Sequence, residues 1–276
     1  MQQRSEKGRP SHLRNTLRER VATWAQGSSA AELRANVRRY LGRPPATEEE
    51  ARQAIAFAVI SAPTGSSSLI DRYVAQAGHL PRAERVLFDE WARARFSLLC
   101  VTDVKPGEWI EAHDVLADRL LLIPERTGSE SIDIGMWLAV FFAETDGRPV
   151  LEGSLSLVPV AARVESVQAA LRAYEGLGVA PTEATPAASR QVANAVYEAM
   201  HIATRAPSSD EGQPPESPTE AMFEQMDAAW PDEPIPALDG LTPRQAVAQG
   251  RRAEVWAVAA APDGGLWASA ELLLRR

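Results

Sequence analysis

The chain has 276 residues, 45% of them hydrophobic and 24% charged, with a formal net charge of −8. This is ordinary for a protein that buries a core, and the length allows one large domain or a few small ones. A single cysteine, Cys100, excludes an intramolecular disulfide and a Cys-rich zinc knuckle.

The N-terminal end is the exception to the acidic balance. Residues 1–43 hold ten Arg or Lys against three Glu, a local +7 that leaves −15 for the rest. Within it, Ser11 is expected to cap a helix over 11–26, with Leu13, Leu17, Val21 and Trp24 on one face. Gly27-Ser28-Ser29 breaks it, and Ala30 to Leu41 forms a second helix with Leu33, Val37, Tyr40 and Leu41 as its stripe. Thr47 and Glu50 read as a capping box, so Glu48 to Ser61 is a third helix. Its middle, AIAFAVI, is apolar on all sides and is expected to be deeply buried. Leu69 to Gly78 and Pro81 to Arg95 complete a bundle of five short helices.

The texture changes after Arg95. FSLLCVTDV, EWIEAHDVL, RLLLIPER, MWLAVFFAE and Pro149 to Val160 read as five strands, with Lys105-Pro106-Gly107 and Asp146-Gly147 as turns. Helical texture returns at Ala161, where Val164, Val167, Leu171 and Tyr174 share a face. Ala187 to Thr204 repeats the pattern with Val192, Val196, Met200 and Ala203. Residues 206–218, APSSDEGQPPESP, are Pro-rich and aperiodic, as in a flexible surface linker. A helix is expected from Thr219. The last segment places Asp263-Gly264-Gly265 between two Trp-bearing apolar runs and reads as a hairpin, although its alanines also favour helix.

The most individual stretch is 230–252, WPDEPIPALDGLTPRQAVAQGRR. Pro231, Pro234, Pro236 and Pro243 lock φ, and a turn is expected at Asp239-Gly240. Thr242 before Pro243 marks a helix start that runs to about Gln249.

Chemistry-bearing motifs are sparse. The four histidines, His12, His79, His113 and His201, lack HxH or HExxH spacing. His113-Asp114, with Asp118 nearby, is the most compact ligand group and reads most simply as a surface pair. Cys100 sits in an apolar strand, where a thiol behaves as a small hydrophobe. Thr64-Gly65-Ser66-Ser67-Ser68 resembles a phosphate loop superficially but lacks GxxxxGK[ST] and a preceding strand. Glu48, Glu49 and Glu50 fit a helix N-terminus, where the macrodipole accounts for them. No apolar run reaches the ~18–20 residues of a membrane helix. The first residues carry charge without an apolar stretch, unlike a secretory signal, so a cytoplasmic location is expected.

Two stretches resemble known bacterial proteins. Residues 95–159, with a strand, a Pro-Gly turn, an "ER" and a Gly-containing hairpin, look like a segment of uncharacterised proteins named for the SEC-C motif. That motif proper is a Cys-rich zinc knuckle, which one cysteine cannot build. The Trp…Pro…Leu-Asp-Gly-x-Thr-Pro-x-x-Ala element of 230–252 resembles the toxin-binding end of Xre/MbcA/ParS-type antitoxins. The resemblance implies an architecture and a bacterial protein-binding role.

Together these readings predict an α+β protein. An N-terminal helical bundle (1–95) precedes a small five-stranded β-barrel of SH3-like type (96–160). Helices packing on the barrel (161–205), the linker (206–218) and a C-terminal, Trp-rich helical module (219–276) follow. The expected function is non-enzymatic: an adaptor or regulator binding another protein through Trp230, Pro236, Leu238, Asp239, Thr242, Pro243 and Arg244, with no cofactor. The alternative is nucleic-acid binding within residues 1–43, through Arg14, Arg18, Arg34, Arg38 and Arg39. A third class is an enzyme with a dispersed site at His113 and Asp114.

Overall fold

A computed structural model of the protein describes residues 9–63, 65–145, 147–205, 230–232 and 234–259. The expected linker at 206–218, the helix starting at Thr219 and the segment from 260 on, with its Asp263-Gly264-Gly265 turn and Trp267, lie outside the described residues. So do Arg4, Lys7 and Asp146.

Five helices come first: α1 (Arg9–Ser28), α2 (Ala30–Leu41), α3 (Glu48–Ile60), α4 (Leu69–Gln76) and α5 (Arg82–Ala92). Helix α1 begins at Arg9, so Ser11 lies inside its first turn and is not the cap. Proline at position 10 explains the early start, because its fixed φ and missing N–H suit a first turn. Gly42 ends α2 at φ 67°, in the left-handed conformation that glycine adopts without strain. Thr47 Oγ1 accepts from the Glu50 amide as expected, while the Glu50 carboxylate accepts from the Ala46 amide and Arg43. Ser68 caps α4 in a full capping box with Asp71. The last serine of the apparent phosphate loop thus caps a helix.

The sheet comprises β1 (Arg95–Lys105), β2 (Trp109–Asp114), β3 (Arg119–Pro124), β4 (Trp137–Thr145) and β5 (Arg148–Leu157). Its order is β3-β2-β1-β4-β5, antiparallel throughout, a half-barrel with β3 and β5 at its edges. Strands β1 and β4 read as unbroken apolar runs because both their faces are buried. Phe96, Leu98, Cys100, Trp137, Ala139 and Phe141 face one core, and Leu99, Val101, Leu138, Val140 and Phe142 face the other. On edge strand β3 the alternation is clean: Leu121 and Ile123 point inward, whereas Leu120 and Leu122 are exposed.

Helices α6 (Arg163–Gly176) and α7 (Pro186–Arg205) follow the sheet, and α7 packs on β1. An aromatic hub ties bundle to sheet. Phe57 of α3 stacks edge-on to Tyr197 of α7 at 4.6 Å between ring centroids. It also meets Tyr40 of α2 at 5.1 Å and Phe141 of β4 at 5.7 Å. The helices and one face of the sheet therefore share a single core.

The chain is next described from Trp230. Two single-turn 3-10 helices, Trp230–Asp232 and Pro236–Leu238, lead into α8 (Pro243–Ala248) and α9 (Arg252–Ala259). Residues 255–259 are helical, which overturns the first strand of the expected hairpin. Alanine propensity prevails there, and Val255, Trp256, Ala257 and Ala259 are all buried. No helix among the described residues is long and apolar enough to cross a membrane.

Candidate functional site

The C-terminal element folds into a clip. Asp239 and Gly240 sit at positive φ, 57° and 77°, the pairing that Asp-Gly favours. The Ile235 amide donates to Leu241 O at 3.0 Å, closing the loop. Thr242 caps α8, and Gln245 reaches back to the Thr242 amide at 3.0 Å. Arg251 then ties the parts together, bonding Asp239 at 2.9 Å and Glu254 at 2.5 Å. Arg244 pairs with Asp232 at 2.7 Å.

This geometry corrects the expected binding set. Leu238 is 0% exposed and Pro243 is buried, so neither presents a surface to a partner. Thr242 is occupied by its cap. Pro236, Asp239 and Arg244 remain exposed on the outside of the clip. Trp230 starts the first 3-10 turn. The motif is distinctive because its prolines, turn and cap build a self-contained fold.

The clip docks on α6 and on the β2–β3 turn. Trp256 stacks on His113 with ring centroids 4.6 Å apart, and Arg252 reaches Asp118 at 3.1 Å. His113 Nε2 also meets Asp118, at 3.2 Å. The neighbour Asp114 points to the opposite face, as strand alternation requires. There it accepts from the Ser97 hydroxyl and the Ala117 amide. His113 and Asp114 are therefore not brought together, and no group of three metal-ligating side chains exists among the described residues. Cys100 is fully buried, and burial pushes its thiol well above the usual range.

His113 links the dock to pH. Burial lowers its pKa, with the nearby carboxylates of Asp118 and Asp114 opposing and Arg252 reinforcing the shift. An imidazole with a lowered folded pKa takes its proton more readily once freed. Its contribution to stability is complete above about pH 6.5 and declines as pH falls below it. Burial shifts Asp114 the other way, above the ordinary carboxylate value, against the Ser97 and Ala117 hydrogen bonds. His113→Phe keeps a ring on Trp256 and removes the titration. The wild-type melting temperature is expected to drop more steeply than the variant's below pH ~6.5. Parallel curves would refute this assignment.

The basic N-terminal helices divide into spent and unspent arginines. Arg14 and Arg18 both turn inward to Glu152, which is 2% exposed and also accepts from Trp91 Nε1 at 2.9 Å. Arg14 bonds Glu90 as well, at 2.6 Å, and Arg18 lies over the Trp91 ring at 5.2 Å. Both are thereby withdrawn from any nucleic-acid surface, because a buried carboxylate needs counter-charges. Sequence could not reveal this, since Glu152 lies more than 130 residues away. Arg39 pairs with Glu198 at 2.9 Å. Arg34 and Arg38 are exposed, and neither meets an acidic side chain among the described residues.

Those two arginines border a cleft of about 600 Å³ between α2 and α3. Leu33, Val37 and Ile55 line its floor, and Pro44 and Pro45 close one end. Arg43 lies on the same rim, but Glu50 accepts from it at 2.9 and 2.5 Å. That guanidinium and the Ala46 amide hold the Glu50 carboxyl down to about 2. A second cleft, about 550 Å³ between α1 and α3, shares Ala51 and Ile55 with the first. A third, about 380 Å³, opens near Asp114 and the start of β1. Its Arg119 is shared between Asp114 and Glu144, and its Arg95 donates to Ala184 O. No family model, curated protein or solved structure matches the chain.

Proposed function

We propose that the protein is a non-enzymatic interaction module, an adaptor or regulator that binds another protein. The observation that carries this is the α2–α3 cleft. It combines an apolar floor with two exposed guanidiniums whose charge no described acidic side chain neutralises. Mixed apolar and arginine surface is what protein recognition sites use. The exposed parts of the clip, Pro236, Asp239 and Arg244, form a second candidate contact. The resemblance of 230–252 to the toxin-binding end of antitoxins supports the same class of function. A bacterial, cytoplasmic setting and an SH3-like character for the curled five-stranded sheet belong to this reading too.

Nucleic-acid binding is weaker on the same geometry. Of Arg14, Arg18, Arg34, Arg38 and Arg39, three are engaged by carboxylates. Two free arginines neutralise about two phosphates, against the ~6–10 contacts of a strong DNA-binding protein.

Affinity capture from native lysate, with and without nuclease, tests the choice. The expected result is a stoichiometric protein partner that survives nuclease. It should be lost from the Arg34→Glu/Arg38→Glu double variant. Recovery of nucleic acid, with proteins lost on digestion, would reject the protein-binding reading.

A further inference from the structure

The α2–α3 cleft has a chemical polarity that narrows what fits it. Leu33 and Val37 lie four residues apart on α2, as do Arg34 and Arg38. Each pair spans one turn, a rise of about 6 Å. The helix thus presents two parallel stripes, one apolar and one cationic, with Ile55 of α3 completing the apolar side. Leu33 is buried, Val37 and Ile55 are half-buried, and both arginines are exposed.

We propose that this groove binds an amphipathic helix of a protein partner. The partner's apolar stripe seats on Val37 and Ile55, and two carboxylates one turn apart face Arg34 and Arg38. This rests on the protein-binding reading and deepens it by naming the partner's chemistry. A helix matches because carboxylates at i and i+4 share one face and repeat with the same rise as the arginines. Arginine favours carboxylate through paired, charge-assisted N–H···O bonds. An apolar stripe beside the acidic one is the mark of helix-in-groove recognition. Arg43 does not supply the attraction, because Glu50 already takes its charge. A nucleic-acid strand would match the arginines but leave the apolar floor unused.

The test uses the full-length chain and two synthetic helical peptides. One carries an apolar i, i+3, i+4, i+7 stripe with glutamates at i+1 and i+5 beside it. The other is identical with lysines replacing those glutamates. Binding is read by fluorescence anisotropy at several salt concentrations, with a duplex oligonucleotide as a third ligand. Wild type is expected to bind the glutamate peptide saturably, and Arg34→Glu/Arg38→Glu to weaken it at least about tenfold. The double variant is expected to prefer the lysine peptide, a reversal that misfolding cannot mimic. Both side chains are exposed, so circular dichroism should show the fold retained.

Equal affinity of wild type for the two peptides, or no saturable binding of the glutamate peptide, overturns the proposal. Tighter, arginine-dependent binding of the duplex overturns it in favour of nucleic acid. If a lysate partner depends on Arg34 and Arg38 but the glutamate peptide neither binds nor competes, the helix chemistry fails while protein binding stands. If no partner survives nuclease either, both fail.

Discussion

Replacing Glu152 with alanine is expected to lower stability by about 3–5 kcal/mol, the cost of removing one partner from a buried ion pair. Glu152 sits on β5 at 2% exposure and answers three donors at once: Arg14, Arg18 and the Trp91 indole. Burial works against the charge on Arg18, and Glu152 is the group that restores it. Without the carboxylate, two partly buried guanidiniums and an indole N–H lose their acceptor. At roughly 2–4 °C per kcal/mol for a chain of this size, the melting temperature falls by about 10 °C. Glu198→Ala is the control, because its pair with Arg39 is 57% exposed on the glutamate side. Exposed pairs are worth about 0–1 kcal/mol. A Glu152→Ala loss no larger than the control's would remove the buried cluster from the account. Replacing all three charged groups by leucine should recover much of the loss, since desolvation then disappears with the pairing.

The second large effect concerns the clip. Leu238→Ala empties a site with 0% exposure and is expected to cost about 2–5 kcal/mol. Where that loss appears is the informative part. The clip meets the body through α9 on α6, Trp256 on His113, and Arg252 on Asp118. Its own ties, Arg251 to Asp239 and Glu254, are local. Hydrogen exchange is therefore expected to accelerate across 235–259, while α3, α7 and β1 stay protected. Trp256→Ala, which removes the clip's ring from His113, should give the same pattern. Uniform acceleration across the chain would show that the clip opens only with global unfolding.

Several parts of this architecture were legible from the residues alone. The boundaries of α2, α3 and α7 followed from apolar spacing and from the turn residues around them. Strands β1 and β4 stood out as continuous apolar runs, and Asp239-Gly240 and Thr242-Pro243 signalled a turn and a helix start. Those features are local, because caps, turns and period depend on residues a few positions apart. The first strand of the expected hairpin is instead helical over 255–259, where alanine propensity prevails. A Trp- and Val-bearing run suits strand or helix, and as a helix packed on α6 it buries Val255, Trp256, Ala257 and Ala259.

The functional residues divide along the same line. Sequence determined that the N-terminal helices are basic and that the 230–252 element is rigid. It also left one thiol and scattered histidines, with no motif for chemistry. Only the tertiary structure decided which arginines are free. Arg14 and Arg18 turn toward Glu152, Arg39 toward Glu198, and Arg34 and Arg38 toward solvent beside an apolar cleft. It likewise turned Leu238 and Pro243 from expected contacts into packing. The physical reason is common to both cases. Charge and hydrophobicity belong to each residue, but whether they are satisfied depends on what the fold packs against them, for the arginines from more than a hundred positions away.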